Sequence, residues 1–149
     1  MRLQQPAYRV GRYAIMIKQV FNVEKFWEVI VFYNVDYDLF YIIEKELLNN
    51  EISQRNLNEL YHTMYFNKAK AVTYSNLNLH TSVVLFNVHE DKADYIDSLV
   101  HEAEHIKQAM LYTYRIEDNG EPPAYTIGYL VRRMWEVFSS IVCNECFSK

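Results

Sequence analysis

The second half of the chain places a short apolar segment directly before two long segments of helical periodicity. Residues 79–88 are rich in β-branched and aromatic side chains, a composition that predicts a strand. Residues 91–112 and 121–142 predict helices, because their apolar side chains recur every three or four positions. Asp91 is placed to cap the first of these helices. A strand that leads into two long helices restricts the fold to one in which both helices pack on a sheet.

The first half of the chain supplies the remaining elements. Residues 25–33 predict a strand, residues 38–49 and 52–65 predict helices, and residues 70–75 predict a short strand. The order is therefore a strand, two helices, one or two strands and two long helices, which predicts an α+β fold. The 149 residues contain only three glycines and three prolines and no linker-like stretch, so we expect one domain over residues 1–149.

Composition excludes two classes of partner and suggests a compartment. The formal net charge is −4 and no basic tract is present, which argues against nucleic acid binding. No apolar run reaches the length of a membrane span. Without a signal peptide, the two cysteines are expected to be reduced thiols in a cytoplasm.

The sequence His101-Glu102-Ala103-Glu104-His105 lies within the predicted helix 91–112. Histidines four residues apart share one helix face, so both imidazoles can reach one metal ion. Zinc in such a site lowers the pKa of a bound water, and Glu102 is placed to take the proton as a general base. The alternative interpretation is a pair of incidental histidines on an amphipathic, metal-free helix.

An open zinc site needs a third protein ligand. The acidic candidates downstream are Glu117, Asp118, Glu121 and Glu136. We favour Glu121, because it opens the last helix and the loop 113–120 lets that helix fold back along the first. Ala124 and Gly128 follow Glu121 at helical spacing, so a face of small residues would permit close approach of the two helices. The alternative is that Glu121 only stabilises the positive end of the helix dipole.

Residues 101–129 resemble a family of proteins encoded by tailed phages and prophages. The segment reads His-Glu-Ala-Glu-His and then, sixteen positions on, Glu-Pro-Pro-Ala-Tyr-Thr-Ile-Gly-Tyr. This is similar to the short His-Glu-x-x-His metallopeptidases of zincin and gluzincin type. The resemblance implies a minimal zincin-like core in residues 71–149, with Glu121 as third zinc ligand and Glu102 as general base. It also implies that residues 79–87 line the cleft and pair with an extended substrate. The resemblance does not extend to residues 1–70, where the sequence pattern alone predicts an N-terminal strand and helices.

The sequence thus predicts a zinc-dependent hydrolase of peptide or amide bonds, with a peptide or protein as substrate. Tyr125 is the favoured donor to the transition-state oxyanion, with Tyr129 and His80 as further candidates and core packing as the alternative for each. A second hypothesis is a non-catalytic zincin-fold module that binds a phage or host protein. If a phage encodes the chain, such a module would belong to the virion rather than the cytoplasm.

Overall fold

The computed structural model describes residues 14–143, so both ends of the predicted domain lie outside the described residues. Within that range the α+β prediction is confirmed, with four strands and four α-helices. The elements are β1 (Ile17–Val23), β2 (Trp27–Tyr33), α1 (Phe40–Asn49), α2 (Gln54–Tyr65), β3 (Ala71–Asn76), β4 (Thr81–Phe86), α3 (Lys92–Tyr114) and α4 (Glu121–Ile141), with a 3₁₀ turn at Tyr37–Leu39 before α1.

The four strands form one sheet in the order β1-β2-β4-β3. β1 pairs antiparallel with β2, β2 pairs parallel with β4, and β3 pairs antiparallel with β4. All six residues of β4 are buried, as expected for a strand flanked on both edges and both faces. β3 is an edge strand, with one edge that no strand of the described chain covers.

β1 is a strand that the sequence analysis missed. Its inward positions are Gln19, Phe21 and Val23, so a polar residue interrupts the alternation that predicts a strand. Buried Gln19 is nevertheless satisfied, because its Nε2 donates to the carbonyl of Arg133 at 2.7 Å and its Oε1 accepts from the hydroxyl of Tyr33 at 2.8 Å. Such long-range partners cannot be read from the local pattern.

The sheet lies between two helical layers. α3 and α4 cover one face, as predicted, and α1 and α2 cover the other. Strand β2 shows how the faces divide: Val29, Val31 and Tyr33 belong to the α3–α4 side, and Ile30 and Phe32 to the α1–α2 side. The two long helices are therefore anchored on a sheet that is itself supported from behind.

Helix α3 follows the prediction closely at its start and partly along its length. Asp91 caps it, accepting from the backbone N–H groups of Ala93 and Asp94 at 2.7 and 3.2 Å. Ile96 and Val100 belong to the periodic apolar residues that predict this helix, yet they are 38% and 45% exposed, because they lie at the solvent margin of its inward face. The inward residues that the structure confirms are Leu99, Ala103, Ile106 and Met110.

Within residues 14–143 no helix combines the length and the apolarity needed to cross a membrane.

Candidate metal centre

Helix α3 places His101 and His105 together on its exposed side, one turn apart. Their Nε2 atoms lie 3.1 Å apart, with the ring centroids separated by 4.8 Å. Two nitrogens bound tetrahedrally to one zinc ion, each at about 2.0–2.1 Å, would be about 3.3 Å apart. The two imidazoles therefore already converge with nearly the spacing that a shared ion requires.

Glu102 lies beside this pair but points into the protein. It is only 3% exposed, and its Oε1 accepts a hydrogen bond of 3.1 Å from the Thr73 hydroxyl. Its Oε2 lies 4.0 Å from Nε2 of His101. Burial raises the pKa of the Glu102 carboxyl, and the Thr73 bond and the two histidines oppose that rise only in part.

Together these three side chains form a group that could hold a metal ion. One ligand atom from each of His101, Glu102 and His105 lies within 4.8 Å of the other two. Imidazole nitrogens with a carboxylate oxygen suit a divalent transition metal. The helical part of the prediction is thus present in the structure, because the two histidines converge and a glutamate lies beside them.

The group opens onto a groove of about 780 Å³ between β3 and α3. The groove exists because the β3 residues that face α3 are small, namely Ala71, Thr73 and Ser75. At its far end it meets a second cavity of about 610 Å³, and Leu77 and Tyr112 line both. An extended ligand would therefore have room along the length of β3.

The strand beside the groove is β3, which corrects an expectation drawn from the family resemblance. Residues 79–87 were expected to pair with substrate, but β4 is hydrogen-bonded to β2 on one edge and to β3 on the other. It has no edge left for a ligand. The strand with a free edge next to the histidines is β3, which immediately precedes β4 in the chain.

Glu121 is not brought to the histidines. It is an exposed residue at the first position of α4, it is not part of the metal-binding group, and no described residue of α4 lines the groove. α4 starts near the C-terminal end of α3, whereas His105 lies about 13 Å earlier along the helix axis at about 1.5 Å of rise per residue. The carboxylate of Glu121 is therefore displaced from the ion that the two imidazoles would share.

The small-residue face expected to draw the two helices together does not do so. A Cβ added at Gly128 would meet no atom within 4 Å, so no close approach depends on that glycine. α4 instead packs through large residues, Leu130, Met134 and Phe138, on the apolar side of α3 that includes Ala103. This packing turns the histidine side of α3 away from α4.

The predicted oxyanion donors also lie away from the groove lining. Tyr125 is 74% exposed on α4. The hydroxyl of Tyr129 donates to the carbonyl of Asn22 at 3.1 Å, and His80 stacks on Trp27 with ring centroids 5.5 Å apart. None of the three predicted donors is among the residues that line the groove.

Most of the other acidic candidates have structural partners. Glu104 and Asp118 both pair with Lys107, at 2.7 and 2.9 Å, which fastens the α3–α4 loop to α3. Glu136 pairs with Arg133 at 3.4 Å within α4.

Two groove residues were missed by the sequence analysis, Thr73 and Ser98. Ser98 lies one turn before Glu102 and its Oγ is 2.8 Å from Nε2 of buried His89, whose Nδ1 lies 2.6 Å from the carbonyl of Asn87. A carbonyl only accepts, so Nδ1 carries the proton in neutral His89 and Ser98 donates to Nε2. Helical spacing placed Ser98 near Glu102, but no local signal points to Thr73 or His89.

The arrangement could hold a metal ion at the mouth of a groove, beside a buried carboxylate that a strand hydroxyl contacts. No protein-family model, curated protein or solved structure matches this chain.

Proposed function

We propose that the chain is a zinc-dependent hydrolase that cleaves peptide or amide bonds in the groove between β3 and α3. The observation that carries the proposal is the convergence of His101 and His105, with Nε2 atoms 3.1 Å apart, next to buried Glu102. Two imidazoles suit zinc, and a neighbouring carboxylate suits proton transfer.

His101 and His105 would hold the ion through their Nε2 atoms, leaving the groove side open to water and substrate. When bound, zinc supplies a Lewis acid that polarises the scissile carbonyl and makes water acidic enough to lose a proton near neutral pH. α4 lies on the other side of α3, so the third ligand that such a site needs, like the water, would come from the groove side.

Glu102 would take the proton from the attacking water and pass it to the leaving amine. Burial raises the pKa of this carboxyl above that of a solvent-exposed glutamate. Oε2 is the oxygen that would act, because it faces His101 while Oε1 is bonded to Thr73.

The substrate would lie along β3 as an added strand. The free edge of β3 offers unpaired backbone N–H and C=O groups, and an antiparallel partner strand would be the more stable arrangement. The cavity shared through Leu77 and Tyr112 would accept side chains several residues away from the bond that is cut. A peptide in extended conformation is therefore the proposed substrate class.

A second candidate is a non-catalytic module that binds a peptide segment through a metal ion. Among the residues from 14 to 143, only three donors converge. If Glu102 serves as the third ligand, it cannot also act as the base. This observation favours metal-dependent binding without turnover.

A Glu102→Gln variant separates the two functions, with Glu104→Gln as the matched control at a half-buried residue outside the metal-binding group. Each protein would be loaded with one equivalent of zinc and incubated with a mixed peptide library, and the products read by mass spectrometry. A hydrolase predicts that Glu102→Gln keeps zinc and loses about 10²–10⁴-fold in rate, while Glu104→Gln cleaves like the parent. A parent that binds zinc and cleaves nothing, together with a Glu102→Gln variant that loses zinc, would establish the binding module instead.

A further inference from the structure

Thr73 sits at the centre of the edge strand and reaches across the groove floor to α3. Its backbone is fixed by antiparallel pairing opposite Val84 in the central strand β4. Its hydroxyl donates to Oε1 of Glu102 at 3.1 Å, which links the sheet to the buried carboxylate. The position of that hydroxyl is therefore set by the sheet and not by the helix that carries the metal-binding group.

This bond makes the two oxygens of Glu102 unequal. Oε1 is engaged by Thr73, whereas Oε2 lies 4.0 Å from Nε2 of His101. Among residues 14–143, the hydroxyl of Thr73 is the one hydrogen-bond donor seen on this carboxylate. Without that donor, only interactions with the metal site would orient the buried carboxylate.

Glu102 is close to becoming a ligand itself. Ligand atoms in a tetrahedral zinc site are about 3.3 Å apart, so a shift on the order of 1 Å would bring Oε2 into the coordination shell. A glutamate that coordinates the ion cannot also take a proton from water. Whether Glu102 acts as a ligand or as a base therefore depends on the contact that keeps its Oε2 out of the coordination shell.

We propose that Thr73 is a positioning residue that holds Glu102 off the metal ion and thereby keeps it as a base instead of a ligand. The inference rests on the proposed function, in which Glu102 is that base. It assigns to the edge strand a second role, because the strand that would pair with substrate also sets the position of the acid–base group.

The test compares Thr73→Val, which keeps the shape and removes the donor, with Thr73→Ser, which restores a hydroxyl. Cobalt(II) is the spectroscopic probe, and zinc affinity is measured by competition with a chelator. Thr73→Val is expected to bind zinc about tenfold or more tightly and to change the visible absorption of the cobalt form, because a carboxylate joins the ion. Thr73→Ser is expected to match the parent in both measurements.

A double variant supplies the control. In Thr73→Val combined with Glu102→Gln the gain in zinc affinity should vanish, because no carboxylate is left to coordinate. Where the parent turns over peptide, Thr73→Val should lower kcat with little change in KM, and Thr73→Ser should restore it. Thr73→Ala serves in place of Thr73→Val if the latter does not fold.

Failure of this inference and failure of the proposed function give different results. Zinc affinity and cobalt absorption that are unchanged in Thr73→Val, or weaker zinc binding, would overturn the role of Thr73 even in an active hydrolase. A parent that binds the ion but cleaves no peptide would overturn the hydrolase, while the cobalt comparison would still decide whether Thr73 holds Glu102 off the ion. A parent that takes up neither ion overturns both.

Discussion

The hydroxyl of Ser98 donates to Nε2 of His89 at 2.8 Å, so a groove residue is tied to a buried, neutral imidazole. Burial is the main cause that lowers the pKa of His89. Lys70 lowers it further, while the Asn87 carbonyl and Asp94 oppose the change. The unfolded chain, in which the pKa of His89 is about 6.5, therefore binds a proton more readily than the folded protein.

The stabilisation due to neutral His89 should be complete above about pH 6.5, the pKa of histidine in the unfolded chain. It should be lost as the pH falls through the lower pKa that His89 has in the folded protein. Urea unfolding of the parent and of His89→Gln between pH 7.5 and 5 measures this. The parent should be the more stable by about 1–2 kcal/mol at pH 7.5, from the buried hydrogen bonds, and the difference should narrow toward pH 5. A difference that stays constant over this range would show that His89 is not protonated on unfolding.

Metal binding should depend on the two histidines and not on Glu121. His101→Ala and His105→Ala each remove one of two converging nitrogens and should weaken zinc binding by at least about 100-fold. Glu121→Gln should bind within about twofold of the parent, because Glu121 is exposed and outside the group of ligand atoms. Chelator competition gives the affinities, and equal losses in Glu121→Gln and His105→Ala would contradict the geometry described.

Filling the groove should block the ligand and spare the metal. Ala71→Leu and Ser75→Leu place larger side chains on the β3 face that forms the groove floor. Peptide binding or cleavage should fall by about tenfold or more through steric exclusion, with zinc affinity unchanged. Val20→Leu, at a solvent-exposed position of β1 on the opposite edge of the sheet, is the control and should behave as the parent. Full peptide activity in both groove variants would place the ligand elsewhere.

Asn87 should be among the polar residues that contribute most to stability. It is fully buried, its Oδ1 accepts from the hydroxyl of Tyr37, and its Nδ2 donates to the carbonyl of Met64 at 2.9 Å. Asn87→Ala should lower the free energy of unfolding by about 2–4 kcal/mol, because buried partners are left unsatisfied. Tyr37→Phe, which removes the hydrogen bond to Asn87, should cost about 1–2 kcal/mol by the same principle. Both are measured by urea unfolding, and losses below about 0.5 kcal/mol would argue against this network.

The sequence predicted the helices and strands well where their apolar residues recur at one regular spacing. α3 and α4 begin within a residue of their predicted starts, because Asp91 caps one and Glu121 opens the other. β1 escaped prediction because buried Gln19 finds its partners in β2 and α4, far away in the chain. Local periodicity carries no information about such contacts.

The candidate site was predictable only as far as it lies on one helix. The facing of His101 and His105 follows from helix geometry, and Glu102 lies beside them because it is the next residue after His101. The position of Glu121 depends on which side of α3 is covered by α4. That side is set by the packing of large apolar residues such as Met134. Thr73 reaches Glu102 through strand pairing, so its contribution becomes visible only when the sheet order is known.

The sheet order also decides whether the metal-binding half can be separated from the rest of the chain. β4 pairs with β2 along its whole inner edge, and β2 belongs to the first seventy residues. A fragment that starts at residue 71 would expose six apolar-rich strand residues with unsatisfied backbone groups, together with the face that α1 and α2 now cover. Such a truncated chain would be expected to self-associate instead of folding. Formation of the groove therefore requires the antiparallel pair β1–β2 in the same chain.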